Sequence, residues 1–145
     1  PPPPSSTPRQ GRRQRQMCIR DSIDSGSLSY LEKRCRRWGL ENVETILGET
    51  LHPRLPEGAL DLIFIISSYH HFEDPVTLLR KARPALKSDG ILAIGEWLPR
   101  EGRQSGYNTP DQMEAQMKEA GYILDRIETF LQKNNMNLYI FRLDK

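Results

Sequence analysis

Apolar positions recur along this chain with two alternating periods. Between Ser27 and Trp38, Leu28, Leu31 and Cys35 return at three and four residues and Gly39 follows as a stop, so the spacing predicts a helix. Val43-Glu44-Thr45-Ile46-Leu47 is short and rich in β-branched residues, which predicts a strand. Residues 48–58 are punctuated by Pro53, Pro56 and Gly58 and read as a loop. Leu60 to Ile66 is almost continuously apolar, the composition of a strand buried on both faces of a parallel sheet. Asp74-Pro75 is a strong helix start, because the carboxylate can cap orphan amides and proline at the first helical position loses no hydrogen bond. Val76, Leu79, Ala82 and Leu86 form the stripe of that helix, and Pro84 inside it predicts a kink or an early end.

Asp89-Gly90 is expected to turn the chain into a second buried strand, Ile91 to Trp97, followed by a polar loop from Leu98 to Asn108. Thr109-Pro110-Asp111-Gln112 fits a capping box at the head of a helix that stops at Gly121. Tyr122–Leu131 and Asn137–Leu143 read as two strands joined near Lys133-Asn134-Asn135, tightly enough that they must be antiparallel. Strands alternating with helices suggest a doubly wound α/β sheet closed by a hairpin. There is no internal repeat.

The first twenty-two residues stand outside this pattern. Pro1 to Pro8 cannot build a core, and the Arg/Gln run after it has no apolar period. Arg12 to Ser22 resembles one frame of a transposase mosaic-end oligonucleotide, a sequencing-library adapter read through into the protein. Residues 1–22 are therefore expected to be a non-native or disordered segment, with a partial domain at 23–145. The competing reading is a natural disordered tail. The exclusion changes the charge balance: five arginines against Asp21 give residues 1–22 a net +4, so the chain's +2 leaves −2 over residues 23–145. Without the tail there is no basic footprint for nucleic acid. Of the two cysteines Cys18 lies in the excluded segment, and Cys35 alone fits a reducing, cytoplasmic compartment and has no metal-ligand spacing around it. The longest apolar run, Leu62–Ile66, is far too short to cross a bilayer.

The order and spacing of several segments carry more than the alternation does. Asn42-Val43-Glu44, Gly48-Glu49-Thr50, Leu55-Pro56-Glu57-Gly58-Ala59-Leu60-Asp61-Leu62, His70-His71-Phe72-Glu73-Asp74-Pro75 and Leu86-Lys87-Ser88-Asp89-Gly90-Ile91-Leu92 together resemble class I S-adenosylmethionine-dependent methyltransferases. The likeness is greatest to their small-molecule branch, which includes the ubiquinone/menaquinone methyltransferases. The closing hairpin, ending Asn137 to Arg142, is similar to the last two strands of that fold.

The resemblance implies S-adenosylmethionine as cofactor and a small-molecule methyl acceptor as partner, with neither nucleic acid nor membrane; oligomeric state is left open. It places Glu49, with Thr50 beside it, at the acidic position that contacts the adenine, where a carboxylate can accept from the exocyclic amine. A solvated loop glutamate is the competing reading, and the residues alone favour it. Ser67 falls at the end of the fourth strand of the family's sheet, near the cofactor, and Tyr69, His70 and His71 near the substrate. A neutral imidazole there could take a proton from an attacking hydroxyl or amine. His70 is the candidate for that catalytic role, whereas packing and helix capping are preferred for His71. No third ligand accompanies the two histidines, so no metal site is expected. Trp97 and Tyr107 are candidate walls of the acceptor pocket, against a plain covering role.

The family's opening elements have no counterpart here. No Gly-x-Gly occurs in the chain, and the acid that holds the ribose should stand where Ser22 is. Asp24 sits two positions later and reads as a helix start with Ser25. The expected architecture is thus a Rossmann-like methyltransferase sheet lacking its first two strands, with a C-terminal antiparallel hairpin. In the family's strand order the absent strands lie between those at Val43 and Leu60, so these two should not be neighbours, and this polypeptide is expected to be inactive and marginally stable. Two other functions compete: a fragment of a nucleotide-dependent oxidoreductase, against which the final hairpin and the Glu49 loop argue, and a nucleic-acid binder using the basic N-terminal arm.

Overall fold

The structure, a computed structural model, describes residues 18–100 and 107–145. The earlier part of the expected N-terminal segment and the centre of the polar loop, with Gly102 and Gly106, lie outside the described residues. The elements run β1 (Cys18–Ser22), α1 (Ser25–Arg37), β2 (Val43–Leu47), β3 (Leu60–Ile66), α2 (Pro75–Ala82), β4 (Leu86–Trp97), α3 (Pro110–Ala120), β5 (Tyr122–Glu128) and β6 (Met136–Leu143).

The strands form two sheets. β1 and β2 pair in parallel, and β3, β4, β6 and β5 lie side by side in that order. β3 runs parallel to β4, while β6 is antiparallel to both of its neighbours, β4 and β5. β2 and β3 are not neighbours, as the family's strand order implied. β1 lies in the segment set apart in the sequence, and its register runs unbroken from Cys18 opposite Val43 to Ser22 opposite Leu47.

Local sequence explains the helix boundaries. The Asp24 carboxylate accepts the Gly26 and Ser27 amides, so α1 starts two residues before the apolar spacing predicts. Asp74 accepts the Thr77 amide at 2.9 Å and Pro75 occupies the first turn of α2. Pro84 then has its predicted effect: α2 ends at Ala82 and a single 3₁₀ turn, Arg83–Ala85, hands the chain to the sheet. α3 carries the full reciprocal capping box of Thr109 and Gln112, and stops at Gly121 in the left-handed region, at φ 92°.

Strand boundaries differ from expectation: β5 ends at Glu128 and not at Leu131, and β4 starts early. β4 begins at Leu86, because Leu86 pairs with Leu60 before the register slips and Ile91 pairs with Leu62. Asp89-Gly90 therefore lies within a continuous strand and does not precede it: Lys87 to Asp89 are exposed at the register slip and Gly90 is buried.

Alternation along β4 and β6 sets one core-facing side. Leu92, Ile94, Tyr139 and Phe141 pack under Leu79 and Ala82 of α2 and under Met113, Met117 and Ala120 of α3. Each fully buried large side chain contributes roughly 1.5–3 kcal/mol of transfer free energy. The Tyr122 hydroxyl, inside this cluster, donates to the Leu79 carbonyl at 2.9 Å, which ties β5 to α2. On the opposite side Leu62, Phe64 and Ile66 remain about half exposed, so β3 is not buried on both faces as its apolar run predicted: no helix among the described residues covers that side.

Candidate active site

The carboxyl ends of β3 and β4 meet at the edge where an open α/β sheet binds its ligands. Ser67 follows β3 directly and takes a left-handed backbone, φ 51°, which is uncommon for a residue with a β-carbon. Its amide donates to the Gly95 carbonyl at 2.7 Å, so the chain leaves the sheet sharply while still held to β4. The Trp97 indole N–H donates to Ser67 Oγ at 2.6 Å. A 3₁₀ turn, Tyr69–His71, then sets the next three side chains in different directions. Tyr69 is buried, and its hydroxyl donates to Gln116 Oε1 of α3 at 2.6 Å. Burial, with a smaller contribution from the Glu96 charge, raises its pKa well above the usual phenol range.

His70 faces the sheet end. Its Nδ1 lies 2.9 Å from each carboxylate oxygen of Glu96, the penultimate residue of β4. Glu96 is 1% exposed, which makes it the principal buried ionisable group of the site. Its Oε2 also accepts the His70 backbone N–H at 3.0 Å, and its Oε1 accepts the Trp97 N–H at 2.8 Å. The His70 ring meets the Tyr107 ring edge-on at 4.8 Å and the His71 ring at 4.0 Å. Ser67, His70, Glu96 and Trp97 are thus one hydrogen-bonded group spanning two strand ends.

Glu96 escaped the sequence reading, although a signal was present. It stands two residues beyond Ile94 on the core-facing side of a strand that otherwise places Leu92 and Ile94 there. A carboxylate in such a position requires partners, so the alternation alone marks it as unusual.

Glu49 and Thr50 lie elsewhere. They belong to the turn after β2, where the Glu49 and His52 backbones exchange hydrogen bonds. The Glu49 carboxylate pairs with the Arg54 guanidinium, and more than half of each side chain is exposed. Among the described residues no hydrogen bond joins Glu49 or Thr50 to the Ser67–His70 group. The Glu49 site fits an adenine amine in donor–acceptor terms: its carboxylate is accessible, and the surface ion pair it would give up is worth only about 0–1 kcal/mol. Among the described residues no group of three or more potential metal ligands occurs, and no helix is long and apolar enough to cross a membrane.

Comparison with known proteins gives the site its context. The family described as "Methyltransferase domain" matches residues 11–94. No curated protein matches the sequence. Among solved structures, a SAM-dependent methyltransferase from Aquifex aeolicus superposes with a TM-score of 0.73 at 18% identity, over 86% of this chain and 68% of that one. The mitomycin 7-O-methyltransferase MmcR gives 0.72 at 17% identity, over 86% of this chain and 41% of its own. The [4+2]-cyclase SpnF gives 0.70 at 14% identity, over 86% and 66%. At these identities the likeness is one of fold, and the chain spans about two thirds or less of these proteins' lengths.

Proposed function

Since the chain belongs to the methyltransferase-domain family, we propose that the protein transfers a methyl group from S-adenosylmethionine to a small-molecule acceptor. The observation that carries this reading is the placement of His70, its Nδ1 held by a buried carboxylate at the ends of two neighbouring parallel strands, beside Ser67. When bound, the cofactor supplies a methyl group already activated on a positively charged sulfur. The chain's own side chains then need only bind, orient and accept a proton, and orientation alone can supply about 7–11 kcal/mol of the barrier. Glu49 and Thr50 would hold the adenine end, Ser67 would line the end of β3, and His70 would take the proton that the acceptor loses. Trp97 and Tyr107 would wall the acceptor. The net −2 charge of residues 23–145 supports a small molecule over nucleic acid.

The 145 residues contain no Gly-x-Gly turn, which supports the further reading that this chain by itself is inactive. Calorimetric titration with S-adenosylmethionine tests both parts. Binding is expected for the protein translated from its complete upstream coding sequence, and little or none for the 145-residue chain. Absence of heat from the former at millimolar ligand contradicts the assignment, and heat with a nicotinamide dinucleotide instead would favour an oxidoreductase.

A further inference from the structure

Glu96 receives three donors from two segments of chain. Two of them, the backbone N–H groups of His70 and Trp97, cannot reverse their role, so each carboxylate oxygen is already an acceptor when the imidazole arrives. Nδ1 lies equidistant from both oxygens at 2.9 Å, and a lone pair there would face two acceptors. With Glu96 ionised, the ring atom therefore carries the proton. Among the described residues no lysine or arginine pairs with Glu96, so nothing competes with the imidazole for it. The His70 side chain keeps 14% exposure while Glu96 keeps 1%, and with Nδ1 facing the carboxylate, Nε2 points away from it. Free histidine prefers the opposite tautomer, with the proton on Nε2; the pairing inverts that preference. The orienting carboxylate sits in the interior, where backbone amides fix its direction, and the ring it orients sits at the surface of the sheet end.

We propose that Glu96 is a positioning residue that holds the His70 ring in its Nδ1–H form, leaving the Nε2 lone pair as proton acceptor, and that the methyl acceptor is consequently a compound that surrenders a proton on methylation, such as a hydroxyl or N–H compound. The second half rests on the methyltransferase reading given above. A hydroxyl acceptor forms its new oxygen–carbon bond as the carbon–sulfur bond of the donor breaks and sulfur keeps that electron pair. The hydroxyl proton passes to Nε2, and the resulting imidazolium faces the Glu96 carboxylate. A tertiary amine or a thioether has no proton to surrender and would gain nothing from this arrangement.

Long-range proton–nitrogen NMR of the imidazoles, without cofactor, reads the tautomer directly. Nδ1–H is expected for His70 at pH 8 in the native sequence, with a shift toward Nε2–H in Glu96→Leu. A native His70 protonated on Nε2 overturns the assignment of Glu96, whether or not the variant folds. In the protein translated from its complete upstream coding sequence and supplied with S-adenosylmethionine, His70→Asn is expected to lower kcat for phenol, alcohol or amine acceptors by about 10²–10⁴-fold with little change in KM. Transfer confined to tertiary amines or thioethers overturns the acceptor class. Transfer to neither kind, with the Nδ1–H form intact, overturns the methyltransferase reading, and the acceptor class falls with it while the role of Glu96 toward the ring stands.

Discussion

Gly121 shows how a single position can be fixed by its backbone. It closes α3 at φ 92°, and its carbonyl accepts the Asp144 amide at 3.0 Å, so the same residue ends a helix and anchors the C-terminal end of β6. A β-carbon added there would stand 2.6 Å from the Arg83 guanidinium. The side chain of Arg83 can move, but the left-handed backbone cannot be relieved. Gly121→Ala is expected to destabilise the fold by about 1–2 kcal/mol, measured by denaturant unfolding. An unchanged midpoint would mean that the turn is not under the constraint its dihedral implies. Ser67 bears a similar backbone without being glycine. Its left-handed turn is maintained by the bond to Gly95 and by the Trp97 indole, interactions from outside its own segment. A sequence pattern therefore places Ser67 at a strand end but does not disclose its conformation.

At the scale of elements, α2 depends on its cap. The Thr77 hydroxyl and then the Thr77 amide hold the Asp74 carboxyl below the ordinary carboxylate range. A lowered folded-state pKa contributes stability above the unfolded value, and that contribution disappears as pH falls through the folded one. Asp74→Ala should therefore lower the melting temperature at neutral pH, and the gap from the native protein should close on acidification below the carboxylate range. A gap that stays constant down to strongly acid pH would rule out the cap as its source.

Caps of this kind are the most legible features of the chain, because they depend on neighbours in sequence. Asp74-Pro75, the Thr109–Gln112 box and Gly121 all fall where local chemistry puts them. The span of β3 was equally plain from its apolar run. The start of β4 was not, since Leu86 joins the strand by pairing with Leu60, twenty-six positions away. The same distinction divides the site: His70 was visible in a local motif, whereas its partner Glu96 is brought to it by the parallel pairing of β3 and β4. The pairing of β1 with β2 is less legible still, because a ladder is made by backbone groups that every residue possesses.

Across the whole molecule, the two sides of the four-stranded sheet differ. Helices α2 and α3 cover one, while Leu62, Phe64 and Ile66 stand half exposed on the other, on a strand that among the described residues pairs along one edge only. An exposed apolar edge strand is a template for self-association. Phe64→Lys is expected to reduce association in sedimentation velocity while changing monomer stability by no more than about 0.5 kcal/mol. Association that persists unchanged would place the contact elsewhere, and a native chain that is monomeric with a sharp cooperative melt would refute the template argument. The separation of β2 from β3 was expected from family strand order and not from any property of the two segments, whose residues read only as a short β-branched strand and an apolar one.

The hydrogen bond between Trp97 and Ser67 has an optical consequence. The chain has two tryptophans in unlike surroundings. Trp38, 62% exposed, caps the end of α1 beneath the Arg34 guanidinium, 4.4 Å from its ring, whereas Trp97 is tethered to the junction of β3 and β4. Their fluorescence therefore arises from one solvated source and one source wired to the candidate site. A ligand that drew the Ser67 hydroxyl away would alter the second emission and leave the first untouched, which gives the molecule an intrinsic reporter of occupancy without any label.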